Sequence, residues 1–312
     1  MYAKSRTVTT IAALACLLAA WAVAQTPSAG AEPAGGAQPA QLQEVWRTDF
    51  DGPAGSLPSA DDWIIDTGTS YPGGPANWGT GEVQTYTSDP ANIQLDGSGH
   101  LVITALLDGG TWTSARIETQ RSDFAAPDGG LMRIEAALRL PDLEGDAALG
   151  YWPAFWTLGA DFRGDYWNWP GIGEFDIMEN VNGLDQVWGV LHCGVNPGGP
   201  CDETQGIGAA TACGDCDAGF HEYALELDRT GDVEYLRWYL DGQLYHTVSS
   251  EQIGEQTWAD ATGHGHFLLL NLAMGGAFPD GVAGQATPTA ATQPGGTLVA
   301  DYVSVSVQQP AG

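Results

Sequence analysis

The feature that most narrows the folds open to this chain is strand periodicity with no rival pattern. The runs "HLVITALL" (100–107), "LMRIEAALRL" (131–140), "QVWGVLH" (186–192), "HEYALELD" (221–228), "EYLRWYLDGQLYHTV" (234–248), "HFLLLNLAM" (266–274) and "TLVADYVSVSV" (297–307) alternate apolar and polar side chains or stay apolar throughout. Both patterns belong to β-strands, half-buried in the first case and fully buried in the second. Glycine and proline punctuate the intervals, and no stretch carries the period of a long amphipathic helix. Asp241-Gly242, between two alternating halves of one run, is a hairpin turn signal. The pattern predicts an all-β, two-sheet antiparallel sandwich. A large sheet of such strands curls, and a groove on its concave face suits a long, thin ligand.

The sandwich does not start at residue 1. Lys4 and Arg6 lead a nearly continuous apolar run from Ile11 to Val23, and Ala22-Val23-Ala24 offers small residues for cleavage before Gln25. Residues 1–24 therefore read as a secretory signal peptide. The run falls short of the about 20 apolar residues that a membrane helix needs. Ala13-Leu14-Ala15-Cys16 is a weak lipid-attachment signal, since apolar residues continue past the cysteine. Residues 25–40, rich in Ala, Pro, Gly and Gln, read as a disordered linker. Residues 41–312 remain as one folded domain, expected to be monomeric, secreted and extracellular.

Charge sorts the partners. The formal net charge is -29, and the only lysine, Lys4, leaves with the signal. Such a surface repels phosphate backbones, anionic lipid and polyanionic polysaccharide, which excludes nucleic acid and membrane and favours a neutral polymer. Solubility alone also accounts for the acidity. Cys193, Cys201, Cys213 and Cys216 lie within 24 residues and admit three pairings, and sequence cannot choose among them. The rival use is zinc, because Cys213-Gly-Asp-Cys216 is a C-x-x-C with His221 nearby; outside the cell, disulfides are the expected state.

One strand departs from strict alternation. In "GEFDIMEN" (173–180), Glu174 and Asp176 alternate with Phe175 and Ile177, but Glu179 arrives one residue late. A β-bulge after Asp176 would return all three acids to one face. The two glutamates would then stand about 13 Å apart along the backbone at ~3.3 Å per residue. Side chains reaching inward would bring their carboxyls to about 5 Å, the spacing of a retaining glycosidase rather than an inverting one. Acids so crowded cannot all ionise, and one keeps the proton that a general acid must donate. The alternative is a solvated acidic edge, but Phe175, Ile177 and Met178 are interleaved to pack behind the acids. The preceding segment carries Trp152, Phe155, Trp156, Tyr166, Trp167 and Trp169. Core packing is expected to use Phe155 and one tryptophan, leaving the other rings for sugars to stack upon.

Glu174-Phe-Asp176-Ile-Met-Glu179 resembles the E-x-D-x-x-E signature of glycoside hydrolase family 16, in the bulged form of its laminarinase-like β-1,3-glucanases. "TSARIETQ" (113–120), "GYWPAFWTLG" (150–159), "WGVLH" (188–192), "WYLDGQ" (238–243), "LLNLAMGGAFP" (269–279) and "ADYVSV" (300–305) follow the family's order across residues 44–307. The resemblance implies a β-jelly roll of the concanavalin A-like kind and endo-acting, retaining hydrolysis of β-1,3-glucan. Position by position, Glu174 is similar to the nucleophile, Glu179 to the acid/base and Asp176 to the residue orienting the nucleophile. His192 resembles the histidine near the leaving group, and Asn77, Arg116 and Trp169 resemble residues gripping the sugars. Trp152 and Phe278 would also border the groove, with Phe278 standing where these glucanases often have Trp. The cysteine insertion (192–208) is likewise unusual, which keeps β-1,3-galactan and mixed-linkage β-1,3-1,4-glucan open as substrates. Catalysis would need no cofactor. The resemblance also implies a structural calcium ion held by Asp301 and the carbonyls of Asp49 and Gly99. A lectin-like module on the same sandwich is the rival class, but it has no use for three acids at catalytic spacing.

Overall fold

The computed structural model describes residues 41–310; the signal peptide and linker assigned to residues 1–24 and 25–40 lie outside the described residues. In chain order the first strands are β1 (Gln43–Thr48), β2 (Trp63–Asp66), β3 (Thr85–Tyr86), β4 (Ile93–Leu95), β5 (Leu101–Thr104), β6 (Leu106–Asp108), β7 (Thr111–Ser114), β8 (Arg116–Thr119) and β9 (Leu131–Arg139). Then come β10 (Tyr151–Gly159), β11 (Glu174–Glu179), β12 (Gln186–His192), β13 (Ile207–Ala212), β14 (His221–Asp228), β15 (Tyr235–Leu240), β16 (Gln243–Ser249), β17 (His266–Met274) and β18 (Thr297–Gln308). Helices are short: α1 (Ser250–Ile253), α2 (Glu255–Thr262) and α3 (Ala277–Ala283).

Two antiparallel sheets form the jelly-roll sandwich. One runs β16-β15-β14-β9-β18-β5-β4, with β1 also on β18; the other runs β13-β12-β11-β10-β17-β8-β2. Between them Ile134, Ala136 and Leu138 of β9 and Val303 and Val305 of β18 share one buried cluster with Phe155, Phe175, Leu268, Leu270 and Leu272 of the facing sheet. Fully burying a large apolar side chain contributes roughly 1.5–3 kcal/mol. Trp238 of β15 crosses the core and donates its indole N–H to the carbonyl of Asp176 at 2.7 Å. Gly189 of β12 lies against that indole, and a Cβ there would overlap the ring, so this strand position has room only for glycine.

Most sequence-read strands appear with nearly the expected bounds, and the Asp241-Gly242 hairpin turn has positive φ at both residues, 49° and 71°. The run 100–107 is the exception. It is two strands, β5 on β18 and β6 on β7, because Ala105 spends its backbone groups on Gly295 and Gly296. The chain thereby leaves the sandwich for a small sheet, β3-β7-β6. β17 is buried along its whole length because apolar residues cover both of its faces. Leu268, Leu270 and Leu272 enter the main core, while Phe267 and Leu269 join Leu158 and Phe162 in a second cluster.

Candidate active site

β11 is built around its irregularity. Glu174, Phe175 and Asp176 pair with Leu158, Thr157 and Trp156 of β10, Met178 and Glu179 pair with Phe155 and Ala154, and Ile177 has no partner. This is a bulge directly after Asp176. Phe175, Ile177 and Met178 enter the core, and Glu174, Asp176 and Glu179 all line one cavity of about 430 Å³. A solvated acidic edge is thus ruled out: Asp176 is 4% exposed and Glu179 7%.

The acids are short of countercharge. Burial raises all three carboxyls, and their mutual repulsion adds to the effect on Glu174 and Asp176. Glu174 is pushed up to about 7 by burial, with the charge of His192 opposing the shift. Asp176 is raised well above the ordinary carboxylate range, first by burial and then by Glu179 and Glu174. Its Oδ2 is buried with no hydrogen-bond partner among the described residues. Glu179 accepts the Trp152 indole N–H at 2.8 Å, which partly offsets its burial. His192 closes the cluster from β12, with Nε2 at 3.4 Å from Asp176 and 4.0 Å from Glu174. Burial alone would favour the neutral ring, yet a hydrogen bond to Glu203 and the charges of Asp176 and Glu174 push His192 up to about 10. The site therefore sets a ring that favours its charged form beside three acids that hold protons more tightly than ordinary carboxyls.

Aromatic rings surround this cluster. Trp152 and Trp156 both line the cavity; the one tryptophan of this pair that also serves core packing is Trp156, over the second cluster, while Phe155 enters the main core. The reason is strand alternation, which puts 152 and 156 on the face opposite 155. Trp156 donates to Asn271 at 2.7 Å and packs over the second cluster. Trp169 lines the cavity with its ring 5.6 Å from that of His192. Arg116 is 3% exposed, bonded to Asp66 at 3.0 Å and to the Tyr71 hydroxyl at 2.9 Å, with the faces of Trp78, Trp156 and Tyr71 around it. Asn77 sits in an exposed turn at positive φ; its neighbours Trp78, Gly79 and Thr80, rather than Asn77 itself, line the cavity. Phe278, from α3, packs edge-on against Trp152 and Trp188 at 5.8 and 5.2 Å, next to the Glu179 end. Tyr71, Trp78, Asn271 and Glu203 were not singled out from the sequence. Only the aromatic pair carried a usable signal there, in a stretch (71–78) that has no strand periodicity to place it.

The cysteines are paired Cys193–Cys201 and Cys213–Cys216, so the C-x-x-C offers no thiolate for zinc beside His221. The residues expected to hold calcium lie where three strand ends meet. β18 changes partner from β5 to β1 around a bulge at Asp301, so Ala300 pairs with Leu101 and Val303 with Thr48. That brings the ends of β5 and β1 together: the Asp49 carbonyl and the Asp51 carboxylate both face Gly99. His100 Nε2 lies 3.8 Å from Asp301. Carboxylate and carbonyl oxygens are the donors that a hard divalent cation takes.

A jelly-roll sandwich whose bulged strand aims paired acids into an aromatic-walled cleft defines a glycoside hydrolase. No protein-family model matches the chain. It is 32% identical over 280 residues to the β-glucanase of Rhodothermus marinus, covering 84% of each. Its structure is similar to the endo-1,3-β-glucanase of Streptomyces sioyaensis, with TM-score 0.84, 54% identity and coverage of 89% of this chain and 100% of that one. It is also similar to the laminarinase catalytic domain of Thermotoga maritima, with TM-score 0.67, 30% identity and coverage of 85% and 98%. The chain belongs to the β-glucanase family of glycoside hydrolases, family 16.

Proposed function

We propose that this protein is a secreted, endo-acting hydrolase of β-1,3-linked glucan that works with retention, as in the bulged laminarinase-like branch of its family. The observation that carries the reading is the bulge at Ile177, which turns Glu174, Asp176 and Glu179 onto one face of the cleft. The relatives described above, named as β-glucanase, endo-1,3-β-glucanase and laminarinase, support the substrate class. A neutral polymer also suits a chain of net charge -29.

In this reading the Glu174 carboxylate attacks the anomeric carbon while Glu179 gives its proton to the departing glycosidic oxygen. Glu179, now ionised, takes a proton from water, whose oxygen opens the glycosyl–Glu174 ester and restores the β configuration. Asp176 keeps the shared proton through its more strongly raised pKa, which leaves Glu174 free to ionise beside the imidazolium of His192. Trp169 stacks on the sugar next to the scissile bond, and Arg116 with its aromatic surround, together with the Asn77 turn, borders the glycone side. Trp152 and Phe278 border the opposite end. Asp301, with the carbonyls of Asp49 and Gly99, would hold a calcium ion that pins β18 to β5 and β1 and takes no part in chemistry; millimolar calcium should then raise Tm over an EDTA control, and Asp301→Asn should remove the difference.

The deciding experiment incubates the protein with laminarin, lichenan, β-1,3-galactan and agarose, sizes the products, and follows the first-formed anomer by NMR. Laminarin should yield a ladder of oligosaccharides that appear first as β-anomers. First-formed α-anomers would overturn retention, and preferential cleavage of galactan would overturn the glucan assignment.

A further inference from the structure

Glu203 comes from the cysteine insertion, and both of its carboxylate oxygens are paired. Its side chain is 0% exposed. Oε1 accepts the backbone N–H of Cys193 at 2.8 Å, and Oε2 accepts His192 Nδ1 at 2.8 Å. The segment is closed by the Cys193–Cys201 disulfide and by a pair of backbone hydrogen bonds between Gly198 and Glu203. Burying a carboxylate costs several kcal/mol unless it is paired, and here both oxygens are spent on consecutive residues, 192 and 193. With Nδ1 engaged, the only free ring nitrogen of His192 faces Asp176 and Glu174. This is the arrangement by which a carboxylate behind a histidine sets the ring's orientation and basicity.

We propose that Glu203 is a positioning residue: it holds His192 as a cation aimed at Glu174 and Asp176 and so controls the proton inventory of the acid cluster. The inference rests on the retaining reading above and deepens it. The groups facing His192 are Glu174 and Asp176 of β11 and Glu203 of the loop, with the Trp169 ring alongside. Glu179 lies further along β11 with Tyr245 behind it, and Arg116 acts on Glu174 from the far wall. Among these, Arg116 is the only other cation, and it already answers to Asp66. Loss of the His192 charge would therefore fall on Glu174 and Asp176 directly. The disulfide couples to the same function, because it closes the loop that presents Glu203.

Glu203→Gln keeps the shape and removes the charge, and Glu203→Asp keeps the charge on a shorter arm. In Glu203→Gln the His192 ring, followed by NMR, should lose its proton at least about one pH unit earlier than in wild type. The ring stays charged across the acid limb, so the direct effect of losing the Glu203 charge is to lower Glu174 and Asp176. The acid limb of kcat/KM on laminarin should move down by about one unit, with the plateau changed by under about twofold. Glu203→Asp should fall between. An unchanged His192 titration and an unmoved limb, with only a uniform fall in kcat or in Tm, would make Glu203 a mere loop anchor and overturn the proposal. The NMR arm reads the proton directly, so it decides the matter even if wild type proves inactive on laminarin, a result that would sink the glucan reading instead.

Discussion

Two clusters of acids, one on each sheet, meet different amounts of countercharge. On the eight-stranded sheet Arg133 reaches Glu135, Glu222 and Glu226 at 2.7, 3.1 and 3.1 Å, while Tyr302 and Tyr239 donate to Glu135 and Glu226. Burial works against Asp228, yet Thr230 and Arg237 hold its carboxyl below the ordinary range. On the seven-stranded sheet Glu174, Asp176 and Glu179 share a single adjacent cation, His192, and all three are raised. The side-chain types on the two faces are alike. What differs is the balance of burial and compensation: Asp228, only half-buried and met by a hydroxyl and a guanidinium, is held low, whereas the deeply buried acids left short of countercharge are raised and hold protons that can be moved.

The comparison breaks first at the acids. Glu174→Gln and Glu179→Gln should each lose about 10³-fold or more in kcat on laminarin with the circular dichroism spectrum unchanged, as expected when an ionising partner is removed. Azide should restore turnover of an activated aryl glycoside in the alanine variants, giving a β-azide from Glu179→Ala and an α-azide from Glu174→Ala. The opposite pattern would exchange the two roles. Trp169→Ala should cost a further-graded 10–100-fold in kcat/KM, roughly 1.4–2.7 kcal/mol, because ring stacking also positions the reacting sugar. A change confined to less than about twofold would put Trp169 outside the binding path.

Stability sharpens the contrast. The Glu174 carboxyl sits at about 7 when folded, against an ordinary value of 4.5. A raised carboxyl contributes stability that is whole below the unfolded pKa and is lost as pH rises through the folded one. Glu174→Gln should therefore melt near wild type at pH 4 and above it at pH 8, by on the order of 2 kcal/mol. Equal melting at both values would mean that the cluster carries no such cost. The smallest effect on turnover belongs to the compensated face. Arg133→Met should leave kcat/KM within about twofold and lower stability by roughly 1–3 kcal/mol, since three partly buried acids lose their partner. A large loss of activity would show that the outer face is not inert.

Legibility followed the range of the interactions. β9, β12, β14 and β17 could be read because side-chain alternation or continuous burial is written into adjacent residues. β10 was less plain, since its outward positions hold Trp152 and Trp156 and look as apolar as its inward ones. The bulge could be inferred because one displaced acid marks it. Arg116 and Trp169 could be placed at the site by resemblance, but the surround of Arg116 comes from Asp66, Tyr71 and Trp78, which lie 38–50 residues away along the chain.

The sequence alone determined the period of the strands, the order of the acids and the shortage of basic residues, for these are properties of neighbours or of composition. Tertiary structure decided which carboxylates found a cation. Arg133 meets Glu226 and Glu222 only because β9 lies beside β14, and Glu203 meets His192 only because a disulfide-closed loop folds back on β12. Burial and countercharge at an acid depend on residues distant in the chain, so the same letter, Asp, is held low at 228 in one sheet and pushed up at 176 in the other.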